Sequence, residues 1–253
     1  MNSHFFTIAF ISTLAISAGC GASAINGIAA TASASGNSGG SRLPSGDCTP
    51  SHTSKAPANG LIADFTDTGG GANMGGIEIA GGILTYAAPK VGGPGSPTYT
   101  TTGGALHIRV SAAPTSTPQF LGAVIAFNNC VDASAFTGVQ FTISGSFSGC
   151  TMQYATGDVE HQDLTLGSTF ATGPAGAYPP QDRLAVDEMT SAPRTIKAPF
   201  VVSDIQGSPP TPLDPSKLIS TIWQFTVPVA AEGASDNPMC TGAITVDDIR
   251  FYR

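Results

Sequence analysis

From Leu61 to the end, the chain runs in short apolar-rich stretches separated by clusters of Gly, Pro, Asn and Asp, the punctuation of a protein built from strands and turns. In Val139-Gln140-Phe141-Thr142-Ile143-Ser144 the apolar side chains fall on every second position, which predicts a strand with one buried face. The stretch from Ala105 to Val110 does the same, with Leu106, Ile108 and Val110 inward and His107 and Arg109 outward. Phe120 to Phe127 is apolar almost throughout, as expected of a central strand covered on both sides. Further strands are predicted over Leu61 to Phe65, Ile79 to Tyr86, Thr151 to Ala155, Thr195 to Val202, Ile219 to Val227 and Ile244 to Phe251. In the penultimate one Ile219, Trp223, Phe225 and Val227 share a parity, which assigns the single Trp to the core.

The last strand changes phase. Ile244 and Val246 share one face, whereas Ile249 and Phe251 have the opposite parity, so a β-bulge at Asp247-Asp248 is needed to return all four to one side. With no amphipathic helical pattern anywhere, the fold class is all-β: a two-sheet antiparallel sandwich of jelly-roll type spanning 61–253.

The first sixty residues carry a different pattern. An apolar run from Phe5 to Ala18 has the length of a secretory h-region and is too short for a membrane-spanning helix, so 1–19 reads as an export signal. It ends in Ser17-Ala18-Gly19-Cys20, which resembles the lipobox of bacterial lipoproteins, although Ser17 stands where Leu is usual and no Lys or Arg precedes the run. The resemblance implies lipid on Cys20, attachment to the outer membrane or cell surface, and no other contact with the membrane. The alternative is a plain secretory signal cut between residues 18 and 24. Residues 20–60 are mostly Gly, Ala, Ser, Thr and Pro, too poor in bulky apolar groups to offset chain entropy, and read as a tether.

Composition narrows the function. Only 11% of the 253 residues are charged and the net charge is −7, with ten Lys and Arg scattered singly, so no basic stripe exists to neutralise phosphates and nucleic acid is excluded as a partner. Of five cysteines, Cys20 is assigned to lipid, leaving Cys48, Cys130, Cys150 and Cys240, an even set in an exported chain that predicts two disulfides. Three pairings are open; proximity in sequence favours Cys130–Cys150 with Cys48–Cys240. No spacing matches a thiolate metal site.

The segments Leu61-Ile62-Ala63-Asp64-Phe65-Thr66-Asp67, Gly104-Ala105-Leu106-His107-Ile108, Gly122-Ala123-Val124-Ile125-Ala126-Phe127, Val131 to Phe141, Leu213-Asp214-Pro215-Ser216-Lys217-Leu218 and Ile244 to Phe251, in that order, resemble the galactose-binding-like β-jelly rolls that serve as carbohydrate-binding modules. The resemblance implies a carbohydrate partner, and a structural calcium held by Asp64, Thr66, Asp67 and Asp248; Thr66 stands where the family usually has Glu. Sugar recognition calls for an aromatic platform beside polar groups, and the candidates are Tyr99, Tyr154 and Tyr178 with Gln153, His161 and Asp163. The cluster Asp158 to Asp163 is the densest group of polar chemistry in the chain. Without a nucleophile elbow or a recognisable pair of catalytic acids, the leading expectation is a non-catalytic carbohydrate-binding surface lipoprotein. The alternatives are a structural or adhesive protein that contacts other proteins, and a glycan-active enzyme on the same fold.

Overall fold

A computed structural model of the chain describes residues 48–66, 80–88, 97–159, 181–184, 189–201, 213–232 and 237–253. Its strands are β1 (Thr53–Lys55), β2 (Leu61–Ala63), β3 (Ala80–Ala88), β4 (Thr98–Thr102), β5 (Ala105–Ala112), β6 (Gln119–Asp132), β7 (Gly138–Ser148), β8 (Thr151–Asp158), β9 (Gln181–Leu184), β10 (Arg194–Pro199), β11 (Leu218–Val227) and β12 (Cys240–Tyr252). They form two sheets. The first runs β1-β6-β11-β8-β9, with β3 also on β6; the second runs β10-β7-β12-β5-β4, with β2 also on β12. The predicted sandwich is thus the fold, and each strand read from the pattern is present.

The core lies where the inner parities of the two sheets meet. Phe141 of the second sheet packs against Tyr154 and Trp223 of the first, with ring centroids 4.7 and 5.4 Å away. Burying such rings removes large apolar areas from water, and their offset and edge-on contacts add roughly 0.5–1.5 kcal/mol each. The expected bulge in β12 is also there. The register on β7 shifts between Asp247 and Arg250, Asp248 has φ 49°, and Ile244, Val246, Ile249 and Phe251 are all buried. Asp tolerates the left-handed region better than most residues, which suits it to this position.

Three expectations are corrected. The domain begins before Leu61: Thr53–Lys55 pairs in parallel with Cys130 to Asp132, and Cys48 is bonded to Cys130, so residues 48–60 belong to the sandwich and not to the tether. The disulfides are Cys48–Cys130 and Cys150–Cys240, with Cα separations of 5.4 and 5.0 Å, in place of Cys130–Cys150 and Cys48–Cys240. The reason is the extended chain between the two middle cysteines. β7 has 11 residues, roughly 36 Å of strand, and Cys130 and Cys150 lie before and after it, far beyond the ~7 Å that a disulfide bridges. Nearness in sequence here means opposite ends of the fold. Third, Ile219 does not share the core with Trp223. The register of β11 shifts between Leu218 and Ser220, which turns Leu218 into the core and leaves Ile219 with Cys130 and Val159 in a separate cluster.

Candidate functional site

The middle of the first sheet is apolar on both sides. Its inner residues Leu121, Ala123, Ile125 and Phe127 are buried, as expected, and so are Val124 on β6, Ile222 on β11 and Ala155 on β8, which face outward with Tyr86 on β3. Because residues directly opposite one another on neighbouring strands share a face, the pairing defines transverse rows. One row is Leu84, Val124, Ile222 and Ala155; the next is Tyr86, Gly122, Gln224 and Gln153, with Arg183 at the following register position; beyond it come Phe120, Thr226 and Thr151.

Access and polarity change together along these rows. The first is aliphatic and its members are buried except Leu84, which is half-buried. In the second, the Tyr86 hydroxyl donates to Gln224 Oε1 at 2.8 Å, and Tyr86 is only 3% exposed. The third presents Phe120 at 36% exposure, an unusual placing for a large ring, beside half-buried Thr226 and Thr151. Gly122 seats the Tyr86 ring. A Cβ there would stand 2.9 Å from Tyr86 Cε1 and 2.2 Å from the carbonyl oxygen of Trp223, so only a residue without a side chain lets Tyr86 lie across β6. With Gln224 Oε1 taken by Tyr86, the amide's two N–H donors point its remaining capacity elsewhere. Two aromatic rings, two amides and three hydroxyls thus share one uncharged strip across β3, β6, β11 and β8.

The residues expected to form the site are mostly placed otherwise. Tyr154 is 1% exposed, on the inner face of β8 against Phe141 and Trp223, and its hydroxyl is within 3.1 Å of Thr156 Oγ1, so it is a core residue and not a platform. Tyr99 lies on the inward side of β4, half-buried against the same core, and this burial raises the pKa of its phenol. The two therefore sit on different sheets and share no open face. Gln153 alone takes part in the strip. Tyr178, His161 and Asp163 lie outside the described residues, as does Cys20. Asp158, the first residue of the polar cluster, is buried and accepts the backbone N–H of Asp214 at 2.8 Å, a structural bond between the end of β8 and the loop before β11.

At the other expected site, Asp64 directly follows Ala63 on β2 and Asp248 directly precedes its partner Ile249 on β12. Asp64 Oδ1 accepts the backbone N–H and the hydroxyl of Thr66, at 3.2 and 2.8 Å, and Asp248 Oδ1 accepts from Arg250 Nε. Asp67 lies outside the described residues, and among those described no three acidic, His or Cys side chains come together as metal ligands. Calcium prefers six to eight oxygens, several of them carboxylate. In Asp64 and Asp248 it is Oδ1 that takes these local hydrogen bonds.

Tyr86, Gln224 and Phe120 were not legible as site residues, because alternation does not distinguish the two faces of a strand that is apolar on both. The signal that was present is polarity out of place: Gln224 is an amide set directly between the aromatic rings of Trp223 and Phe225.

No family model and no curated protein matches the chain. Among solved structures it is similar to the family 11 carbohydrate-binding module of the cellulosomal cellulase Lic26A-Cel5E of Clostridium thermocellum, at 16% identity over 76% of this chain and 92% of that one, with a TM-score of 0.39. The module from the same organism in complex with a β-1,3-1,4-mixed-linked tetrasaccharide matches at 17% identity over 76% and 94%, also at 0.39. An exo-β-agarase matches at 15% identity over 75% of this chain and 25% of its own, at 0.39.

Proposed function

We propose that this chain is an exported, surface-held protein that binds a neutral polysaccharide on the outer face of its first sheet and cleaves nothing. The observation that carries the reading is the exposed Phe120 with half-buried Thr226, Thr151 and Gln153 beside it, backed by the buried Tyr86–Gln224 pair. A pyranose has an apolar C–H face and an equator of hydroxyls. Phe120 supplies a flat surface for the first, and the amide of Gln153 with the hydroxyls of Thr151 and Thr226, each both donor and acceptor, suit the second. Strands about 4.8 Å apart make the accessible row Phe120, Thr226 and Thr151 roughly 10 Å long, longer than one pyranose ring, so it follows a chain. The described side chains of the strip carry no charge, which favours a neutral sugar and supplies no acid–base pair for glycoside hydrolysis.

Two disulfides agree with residence in an oxidising compartment. Lipid on Cys20 would hold the domain to a membrane, with the residues before Cys48 as its tether. A glycan array probed with the purified mature chain tests the reading. Retention of one class of neutral polysaccharide, lost in Phe120→Ala, is expected; silence against plant, microbial and host glycans contradicts it.

A further inference from the structure

The outer face of the second sheet is chemically unlike that of the first. Its rows are short hydroxyl side chains: Ser111, Thr241 and Ser148 stand opposite one another on β5, β12 and β7, and Thr98, Arg109, Ala243 and Ser146 form the next row across β4, β5, β12 and β7. Because Ala243 is small, a depression of about 480 Å³ opens between these rows. Among the described residues Arg109 is the one charged side chain that lines it, and no described carboxylate forms an ion pair with that guanidinium. In a chain of net charge −7, this leaves an exposed cation that no described carboxylate neutralises, beside several hydroxyls.

We propose that this depression is a second binding site, selective for a sugar that bears a carboxylate: a uronic acid residue within an otherwise neutral glycan. The guanidinium presents parallel N–H donors in a planar fork whose spacing matches the two oxygens of a carboxylate. Ser148 Oγ and Thr241 Oγ1 are 3.0 Å apart, so one hydroxyl proton is spent between them and the other is left to donate outward, with Ser146 alongside for the sugar hydroxyls and Ser111, whose hydroxyl donates to Met239 Sδ at 3.9 Å, left as an acceptor. The volume falls within the range of about 300–1,000 Å³ typical of small-molecule sites. The net negative charge of the whole chain disfavours a long polyanion and so selects an isolated uronate. This site lies on the opposite sheet from the strip carrying Phe120 and stands or falls independently of it.

The test is calorimetric titration of the purified mature chain with xylotriose bearing one glucuronate branch, and with plain xylotriose. The acidic sugar should bind, at least about 10-fold tighter than the neutral one and more weakly as salt rises, since a charge-assisted pair of this kind is worth about a factor of 10 to 100. Two variants on exposed positions should each remove that preference without unfolding the sheet: Arg109→Gln, which deletes the cation, and Ala243→Glu, which places a carboxylate directly across the strand from Arg109 and neutralises it in place. Amide shifts on titration should centre on Ser111, Thr241 and Ala243. Equal affinity for the two sugars, equal binding by Arg109→Gln, or shifts confined to the first sheet would each overturn the proposal.

Discussion

Tyr86→Phe is the most informative small change in this protein, because it removes one oxygen atom and nothing of the ring. The lost hydroxyl is the donor to Gln224 Oε1 at 2.8 Å, and both residues are buried, so the acceptor is left without a partner and with little access to water. An unsatisfied buried acceptor costs about 1–3 kcal/mol. For a domain of this size about 3 °C of Tm accompanies each kcal/mol, so a fall of roughly 3 to 9 °C is expected. Gln224→Met should cost a similar amount through the loss of the same bond. The double variant Tyr86→Phe/Gln224→Met removes both polar ends and should recover at least about 1 kcal/mol relative to the sum of the single changes. Urea unfolding of the four proteins, at constant m-value, reads the coupling directly. Strictly additive losses, or a Tyr86→Phe variant as stable as the parent, would show that the Tyr86–Gln224 bond does not organise this face.

Removing the Cys150–Cys240 disulfide as Cys150→Ser/Cys240→Ser opens a loop spanning a sequence separation of 90; the chain-entropy relation gives about 4.6 kcal/mol, and a loss of 2–5 kcal/mol in denaturant is expected. A non-reducing peptide map should join Cys48 to Cys130 and Cys150 to Cys240. Stability should also fall in acid. Ser134, through its hydroxyl and its amide, holds the Asp132 carboxyl below the usual range; burial pushes Asp214 up, but Ser216 and Lys217 more than offset it and leave its pKa lowered. Lowered folded-state values confer stability that is present above the unfolded pKa of about 4 and is lost as pH falls through the depressed values, so Asp132→Asn/Asp214→Asn should flatten the stability profile between about pH 5 and pH 2. If Cys20 carries lipid, the wild-type chain made in a bacterial host partitions into detergent and Cys20→Ser is released or left unprocessed; identical fractionation and migration would contradict the anchor.

The architecture was legible because its signal is periodic. Inner-face alternation in β5 and β7, and the phase slip at Asp247-Asp248, depend only on which residues must leave water, and each appears as read. What escaped the sequence were contacts between distant segments. The residues around Thr53 have little apolar content and are held by a disulfide and a parallel pairing to β6, neither of which has a local signature. The middle cysteines misled for the same reason, since strand length and not sequence distance separates them. The tyrosines misled because a ring on a strand reads equally well as core or as surface; Tyr154 proved inward and Tyr86 outward, and cross-strand register, which the chain does not print, decides between them.

The central claim is that the outer face of the first sheet is where polysaccharide binds. Titrating the ¹⁵N-labelled mature chain with a neutral oligosaccharide identified on the glycan array, and following its amide and side-chain NH₂ resonances, tests this most directly. The account predicts shifts that centre on Phe120, Thr151, Gln153 and Thr226, including the side-chain amide of Gln153, and their loss in Phe120→Ala. Saturable binding that leaves these signals unmoved and shifts another surface would contradict it.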